Sequence, residues 1–462
     1  VTDLSALVAT LPGRVHTDDA ARDAVAVDFG GVVRARPLAV VRPVDADDVA
    51  ATVTFARAHR LPVVARGVGH STGGQSQASA GIVLDMTTLA RVQAPVDGAL
   101  VVEAGARWAD VMDALVDLTP PVLPDWLHLT VGGTLALGGV GPHSFRAGVQ
   151  CDAVTALEVV TGTGERVRCA RGDALFAAVL GGLGQFGVVT EVTLRVEPAP
   201  RVATLHHLVW ADLDRFLADV ARLAADRRVH GLLAHAVPAD RAALAASLGP
   251  AAFAQVPPEV ALPPGPWLFD LELTVYDDGP TPDLHGLGAL PGLHTAERMT
   301  WTQLLGRKPP IIERDAREGA APHPQLSMVV PGDLAPTAMR AVLERTTPAS
   351  MGGGPILLVP IARDLVQTPM FRCGPPDGGA LCWLFGVLAA APTAADVAAV
   401  QARNAALYAE VSAAGVLRYP CDALPPPSGP VHHGADWPQV QAWKRRFDPD
   451  GLFAPNARPS EG

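Results

Sequence analysis

Two hydrophobic periods alternate along the first 200 residues. The run "LAVVRP" (38–43) is short, continuous and apolar, and it predicts a strand. Asp45 then precedes a stretch whose Val49, Val53 and Ala56 recur at helical spacing, with the aspartate as N-cap. "LPVVARG" (61–67) returns to strand character and completes a β-α-β unit; "GIVLDM" (81–86) and "ALVVEAG" (99–105) predict two further strands. A short helix is expected from Trp108, with Val111, Leu115 and Leu118 on one face. "VTALEVVTG" (154–162) and "ERVRCA" (165–170) read as a hairpin across a Gly-Thr-Gly turn. In "VVTEVTLRVEP" (188–198), Thr190, Val192, Leu194 and Val196 share a face until Pro198 and Pro200 stop the strand.

Those prolines mark the expected end of a first domain, 1–200. Beyond them the texture changes to Ala-rich helices, such as 211–226 and 394–414, between isolated strands such as "WLFDLELTVY" and "QLSMVVP". This predicts an α+β domain, 201–420, with helices covering one sheet face. "GPILLVPIA" and "LCWLFGVLAAA" are too short to span a bilayer and read as buried strands. Joints rich in Pro and Gly fall at 257–266, 351–355 and 425–430. The tail "WKRRFDPDGLFAP" is too short to fold alone, so a C-terminal segment, 421–462, is expected to return to the first domain.

Composition narrows the function. A chain of 462 residues with 49% hydrophobic positions favours two cores over one. A net charge of −11, with scattered Lys and Arg, argues against nucleic acid and anionic membranes as partners. Aromatics, at 5%, are too sparse for a base-stacking platform. The five cysteines are widely spaced, odd in number and form no CxxC, which points to neither structural zinc nor a disulfide framework. With no signal peptide in the sequence as given, a cytoplasmic location is the expectation, a processed secreted form remaining open.

Three glycine-rich segments carry the candidate chemistry. They are "ARGVGHSTGGQ" (65–75), "LHLTVGGTLALGGVG" (127–141) and "LGGLGQFGVVTEV" (180–192), each beside a strand. The first does not match GxGxxG followed by a helix or GxxxxGK[ST], so it supports neither a Rossmann site nor a P-loop. Three bare backbone stretches in one block suit a long flat dinucleotide. His70, the single histidine of the first segment, stays open at this point as ligand, base, attachment point or plain loop residue.

These segments, taken in order with "GIVLDM", "PHPQLSMVVP" (322–331) and "FDPDGLFAP" (447–455), resemble the FAD-linked oxidoreductases of the vanillyl-alcohol-oxidase (PCMH) type, and among these the cytokinin dehydrogenases. The resemblance implies a two-domain FAD-binding fold with an α+β cap. It also implies a histidine bonded to the flavin 8α-methyl, which here is His70. Arg66, Gly67, Val68, Gly69, Ser71 and Gln75 would line the pyrophosphate and flavin. Thr130, Gly132, Gly133 and Thr134 would follow from the second segment, and Gly187 and Val189 from the third. No cysteine lies at 122–130 to form a second flavin bond, so a single covalent link is expected.

Asp125, five residues ahead of "TVGG", matches the family's proton-accepting aspartate, expected in an apolar pocket. This sequence departs from the family around it: the usual Asn-Asp-Tyr is Pro124-Asp125-Trp126. The usual "SPGQ" near the C-terminus reads Ala454-Pro455-Asn456, leaving Asn456 for the amide contact to flavin. Glu272 is near the position of a substrate-side glutamate but one residue out of register, which would turn it to the other strand face. Trp126 and Tyr419 are the remaining substrate-side candidates. His432, His433 and Asp436 read as a solvated loop rather than a metal site, and His206 and His207 point to opposite strand faces. The expected activity is oxidation of a C–N bond in a cytokinin-like amine, with hydride transfer to flavin, imine hydrolysis, and oxygen or another small molecule as acceptor. The alternative is oxidation of an alcohol, or of an amine in bacterial specialised metabolism.

Overall fold

The computed structural model describes residues 2–277, 281–308, 321–375 and 377–457, so the last five residues of the expected C-terminal segment lie outside it. The first half holds two four-stranded sheets. In one, Ala39–Val41 and Val63–Arg66 flank the strand Ile82–Asp85, parallel to both. The helix Ala46–His59 joins the outer two, its N-terminus capped by the Asp45 carboxylate accepting from the Asp48 N–H at 2.9 Å. The expected β-α-β unit therefore forms, with a third strand inserted between its partners. The other sheet is antiparallel, with Val188–Arg195 paired to both Ala99–Glu103 and Val154–Val160, and Arg166–Ala170 at its edge.

One expectation here needs correction. The helix from Trp108 ends at Ala114, and Leu118 leaves its face to pair with Pro198 in a two-stranded ribbon. Pro120 favours extended backbone at Thr119, Leu118's neighbour on that strand.

The second half is built on an eight-stranded antiparallel sheet. Its inner strands are mostly apolar on both faces because both faces are covered, with Asp270 and Glu272 as buried exceptions. Leu232, Met328, Val330, Leu358 and Phe385 join a core with the helices Leu213–Ala224, Ala335–Glu344 and Val397–Ser412. Their neighbours Leu233, Val329, Val359 and Leu384 join a different core, shared with Leu100, Val131, Val159 and Val192 of the first half. Three long helices thus cover one face, and the other is shared between the first half and the two short helices Arg241–Leu248 and Pro250–Phe253, which pack on Val209, Val237 and Leu268. Within the helix Leu213–Ala224, Leu213, Phe216, Leu217, Val220 and Leu223 form the apolar stripe. Among the described residues no helix is long and apolar enough to cross a membrane.

The tail packs against the first half. Trp437–Phe447 is a helix, and Phe453 forms a parallel bridge with Val63 beside the first sheet. The Asp448 carboxylate, 1% exposed, holds the turn between them. It accepts from Lys444 Nζ at 2.6 Å and from the N–H groups of Leu452 at 2.8 Å and Phe453 at 3.0 Å. Removing it would leave the Leu452 and Phe453 N–H groups without their acceptor in the buried turn, while Lys444 Nζ keeps the Gln185 carbonyl at 2.7 Å. Asp448→Ala should therefore destabilise the fold by about 3 kcal/mol, seen as a lower thermal midpoint. An unchanged midpoint would mean that apolar contacts alone hold the tail.

Candidate active site

The strand Val63–Arg66 delivers the first glycine segment to the surface of the first half. A Cβ on Gly67 would lie 2.0 Å from Thr130 Oγ1, so only glycine lets the first and second segments approach this closely. Gly69 has φ 74°, a left-handed turn that swings His70 away from the strand direction. Thr130 leads into the one-turn helix Val131–Leu135, and Thr134 Oγ1 accepts from Trp108 Nε1 at 3.0 Å. The third segment runs directly into the strand Val188–Arg195.

These segments enclose one cleft of about 370 Å³. Its wall contains Gly67, Val68, Gly69, His70, Ser71, Gln75, Thr130, Gly132, Gly133, Thr134, Gly187 and Val189 of the expected set. Tyr419 lines it too, although it was expected with the substrate; burial pushes its phenol well above the usual range. The opposite wall comes from the second half, through Gln325, Ser327, Leu357, Leu384 and Cys421. None was named as a site residue: Gln325 and Ser327 lie in the motif "PHPQLSMVVP", whereas only sheet packing brings Leu357 and Leu384 here.

Two expected cofactor residues lie elsewhere. The Arg66 guanidinium turns inward, donating to the Val27 carbonyl at 3.0 Å and to Ser76 Oγ at 3.2 Å. The amide of Asn456 donates to the carbonyls of Gly74 at 3.0 Å and Gln77 at 3.1 Å. Both side chains brace the loop from behind, because its many turns leave carbonyls that need donors.

A strap at residues 26–31, missed by the sequence reading, supports the same loop. The N–H of Phe29 donates to the Gly69 carbonyl at 2.8 Å, and that of Gly30 to the Ser71 carbonyl at 3.0 Å. Asp28 accepts from the Gly74 N–H at 2.7 Å and from Ser71 Oγ at 3.0 Å. The paired glycines of "VDFGG" were the available signal: a Cβ on Gly30 would meet the Thr72 carbonyl at 2.2 Å. The His70 imidazole lies between Phe29, with ring centroids 4.2 Å apart, and Trp126, at 4.5 Å. Burial, reinforced by His323, lowers its pKa from the usual 6.5 to about 4. The ring is therefore neutral near pH 7, with a nitrogen lone pair for bonding.

The wall fits FAD. Glycine edges expose backbone to a flat ligand, most of the remaining lining is apolar, and a neutral imidazole stands in it. The five cysteines are free; Cys151, expected beyond reach of any second flavin link, donates from Sγ to the Leu135 carbonyl at 3.2 Å.

Asp125 follows Pro124, whose side of the chain lines the cleft, and precedes Trp126, which packs on His70. Its setting corrects the expected apolar pocket. Lys308 Nζ lies 2.7 Å from Asp125 Oδ2, and an Arg307 guanidinium nitrogen 3.4 Å from Oδ1. The same two cations hold Glu272, Lys308 at 3.0 Å and Arg307 in direct contact. Burial alone would raise the Glu272 pKa, yet Arg307 and Lys308 hold it well below the usual carboxylate range.

Glu272 thus faces Asp125, against the expectation that its register would turn it away. Leu271 and Leu273 point into the helix-covered core, which forces Glu272 to the face shared with the first half. On that face His207 Nδ1 lies 3.0 Å from Asp270 Oδ1, whereas His206 contacts His294 at 3.0 Å; the two histidines take opposite faces as expected. His432 and His433, expected on a solvated loop, are buried on the short helix Gly429–His433, where His433 stacks on Trp437.

Comparison with known proteins identifies the family. Residues 37–170 match the family model described as "FAD binding domain". Residues 283–458 match the one described as "Cytokinin dehydrogenase 1, FAD and cytokinin binding". An uncharacterized oxidoreductase of the fasciation locus of Rhodococcoides fascians is 32% identical, over 97% of this chain and 100% of its own length. Cytokinin dehydrogenase 1 of Oryza sativa subsp. japonica is 33% identical, over 96% of this chain and 91% of its own. The solved structure of a chitooligosaccharide oxidase shares the fold, with a TM-score of 0.74 over 99% of both chains at 15% identity. With both family models matched in order and relatives above 30% identity along almost its whole length, the chain belongs to the cytokinin dehydrogenase family of FAD-dependent oxidoreductases.

Proposed function

We propose that this oxidoreductase carries its FAD covalently on His70 and oxidises a C–N bond in a cytokinin-like N6-substituted adenine. The observation that carries the reading is the placement of Asp125. It lies one residue from the Trp126 ring that packs on His70, and it is ion-paired through two cations to Glu272 of the facing sheet. The match of residues 283–458 to a cytokinin-binding family model supports the substrate class.

Bound FAD supplies a two-electron acceptor for hydride. The chain's own residues supply the rest. Asp125 accepts the proton of the substrate N–H as the neighbouring carbon loses its hydride, and water then cleaves the imine to an amine and an aldehyde. Arg307 and Lys308 fix the position of the Asp125 carboxylate and tie it to Glu272, so the base is held ready before substrate arrives. Apolar side chains such as Leu357 and Leu384 close the far wall and keep bulk water from the reacting carbon. Oxygen or another small acceptor completes the cycle.

A second reading is favoured by the cations beside Asp125, which suit a more polar substrate: an alcohol, or an amine other than a cytokinin. Anaerobic bleaching of the flavin by a panel of isopentenyladenine, simple alcohols and sugars decides between them. Isopentenyladenine is expected to bleach it; bleaching by alcohols alone would replace the first reading with the second.

Two variants test the residue roles. The wild-type protein should be yellow and keep its flavin through acid precipitation, and His70→Ala should release it. Release by the wild type would remove the covalent link. Asp125→Asn should leave the flavin attached and lower kcat by about 10²- to 10⁴-fold, the usual range for a lost general base. Undiminished turnover would take Asp125 out of the mechanism.

A further inference from the structure

The imidazole of His70 is one of three rings in a row. Phe29 stacks on it at 4.2 Å with 29° between planes, and His323 stacks on the other face of Phe29 at 4.5 Å and 10°. The three rings come from three distant parts of the chain. Each is pinned by backbone bonds to the next: the Phe29 N–H to the Gly69 carbonyl at 2.8 Å, and the His323 N–H to the Gly30 carbonyl at 2.7 Å. Asp28 adds two bonds to the loop that bears His70, from the Gly74 N–H and Ser71 Oγ. Such an assembly costs the conformational freedom of three side chains, and a plain loop histidine needs none of it.

We infer that Phe29, backed by His323, is a positioning residue for flavin attachment: it sets the plane of the His70 imidazole so that a ring nitrogen meets the flavin methyl group. This rests on the reading of His70 as the tether. Two geometric facts support it. The stack fixes rotation of the imidazole about its side-chain bonds, which the Gly69 turn alone leaves free. The enclosure by Phe29 and Trp126 also shields the ring from water, consistent with its lowered pKa and its neutral, nucleophilic state. Attachment exchanges one C–H bond of the methyl and the imidazole N–H for a C–N bond. The two electrons and two protons released pass through the flavin to dioxygen, giving hydrogen peroxide. The reaction needs the nitrogen lone pair aligned with the methyl carbon, and a misplacement of about 1 Å can cost on the order of 10²-fold in rate.

The test separates flavin binding from flavin attachment. Freshly purified wild type, Phe29→Leu, Phe29→Tyr and His323→Gln are incubated with FAD in air. At intervals each is precipitated with acid, and flavin retained in the pellet is compared with flavin released. Phe29→Leu keeps apolar bulk but loses the ring face. It should bind FAD, visible as yellow colour before acid, yet convert to the acid-retained form roughly tenfold to a hundredfold more slowly. Phe29→Tyr keeps the face and should attach at the wild-type rate. His323→Gln should be intermediate, and it carries the test if Phe29→Leu does not fold. Attachment at the wild-type rate in both Phe29→Leu and His323→Gln overturns the inference while leaving the tether intact. Acid release from the wild type overturns the tether and, with it, this role for Phe29.

Discussion

Alternate residues of the strands Leu326–Pro331, Ile356–Ala362 and Leu381–Val387 go to different cores, one under the helices and one against the first half. The rest of the molecule depends on this two-sided burial. It presses the first half onto the sheet and so creates the cleft, whose walls come from both. It also fixes what the sheet can offer at that junction. Once Leu271 and Leu273 are committed to the helix side, Glu272 and Asp270 must face the other way, whatever their polarity.

The polar residues forced to the junction are held by one another. Glu272 meets Arg307 and Lys308, Asp125 meets the same pair from the first half, and Asp270 meets His207. Charges this well enclosed are costly unless paired, so the cluster ties the two halves together at the point where a substrate would lie. The carboxylate proposed as base is thereby also part of the structure's closure.

The glycine loops show the complementary strategy. Their backbone comes close to its neighbours and spends its carbonyls on donors from behind: Arg66, Asn456 and the strap at 26–31. The front of the loop is left to the cleft. His70 is the one residue of the first segment whose side chain is fixed by rings rather than by hydrogen bonds, and this is consistent with a role that needs a free nitrogen and a set plane.

Much of this was legible in the sequence. Strand and helix positions followed from hydrophobic period, since local backbone and burial pattern are coupled. The three glycine segments, and twelve of the residues named in them, came together in one wall because each segment positions its residues by its own turns. What failed depended on direction and register. Arg66 and Asn456 belong to the right loops, but their side chains turn to buried carbonyls that no local pattern reveals. Glu272 and the buried His432 and His433 were misjudged because a strand face, or the cover over a helix, is chosen by distant packing. The sequence by itself determined the elements, the cofactor class and the loop that bears His70. Only the tertiary structure decided which charges meet Asp125 and which rings hold His70, because those contacts join residues on different elements far apart in sequence, where periodicity carries no information.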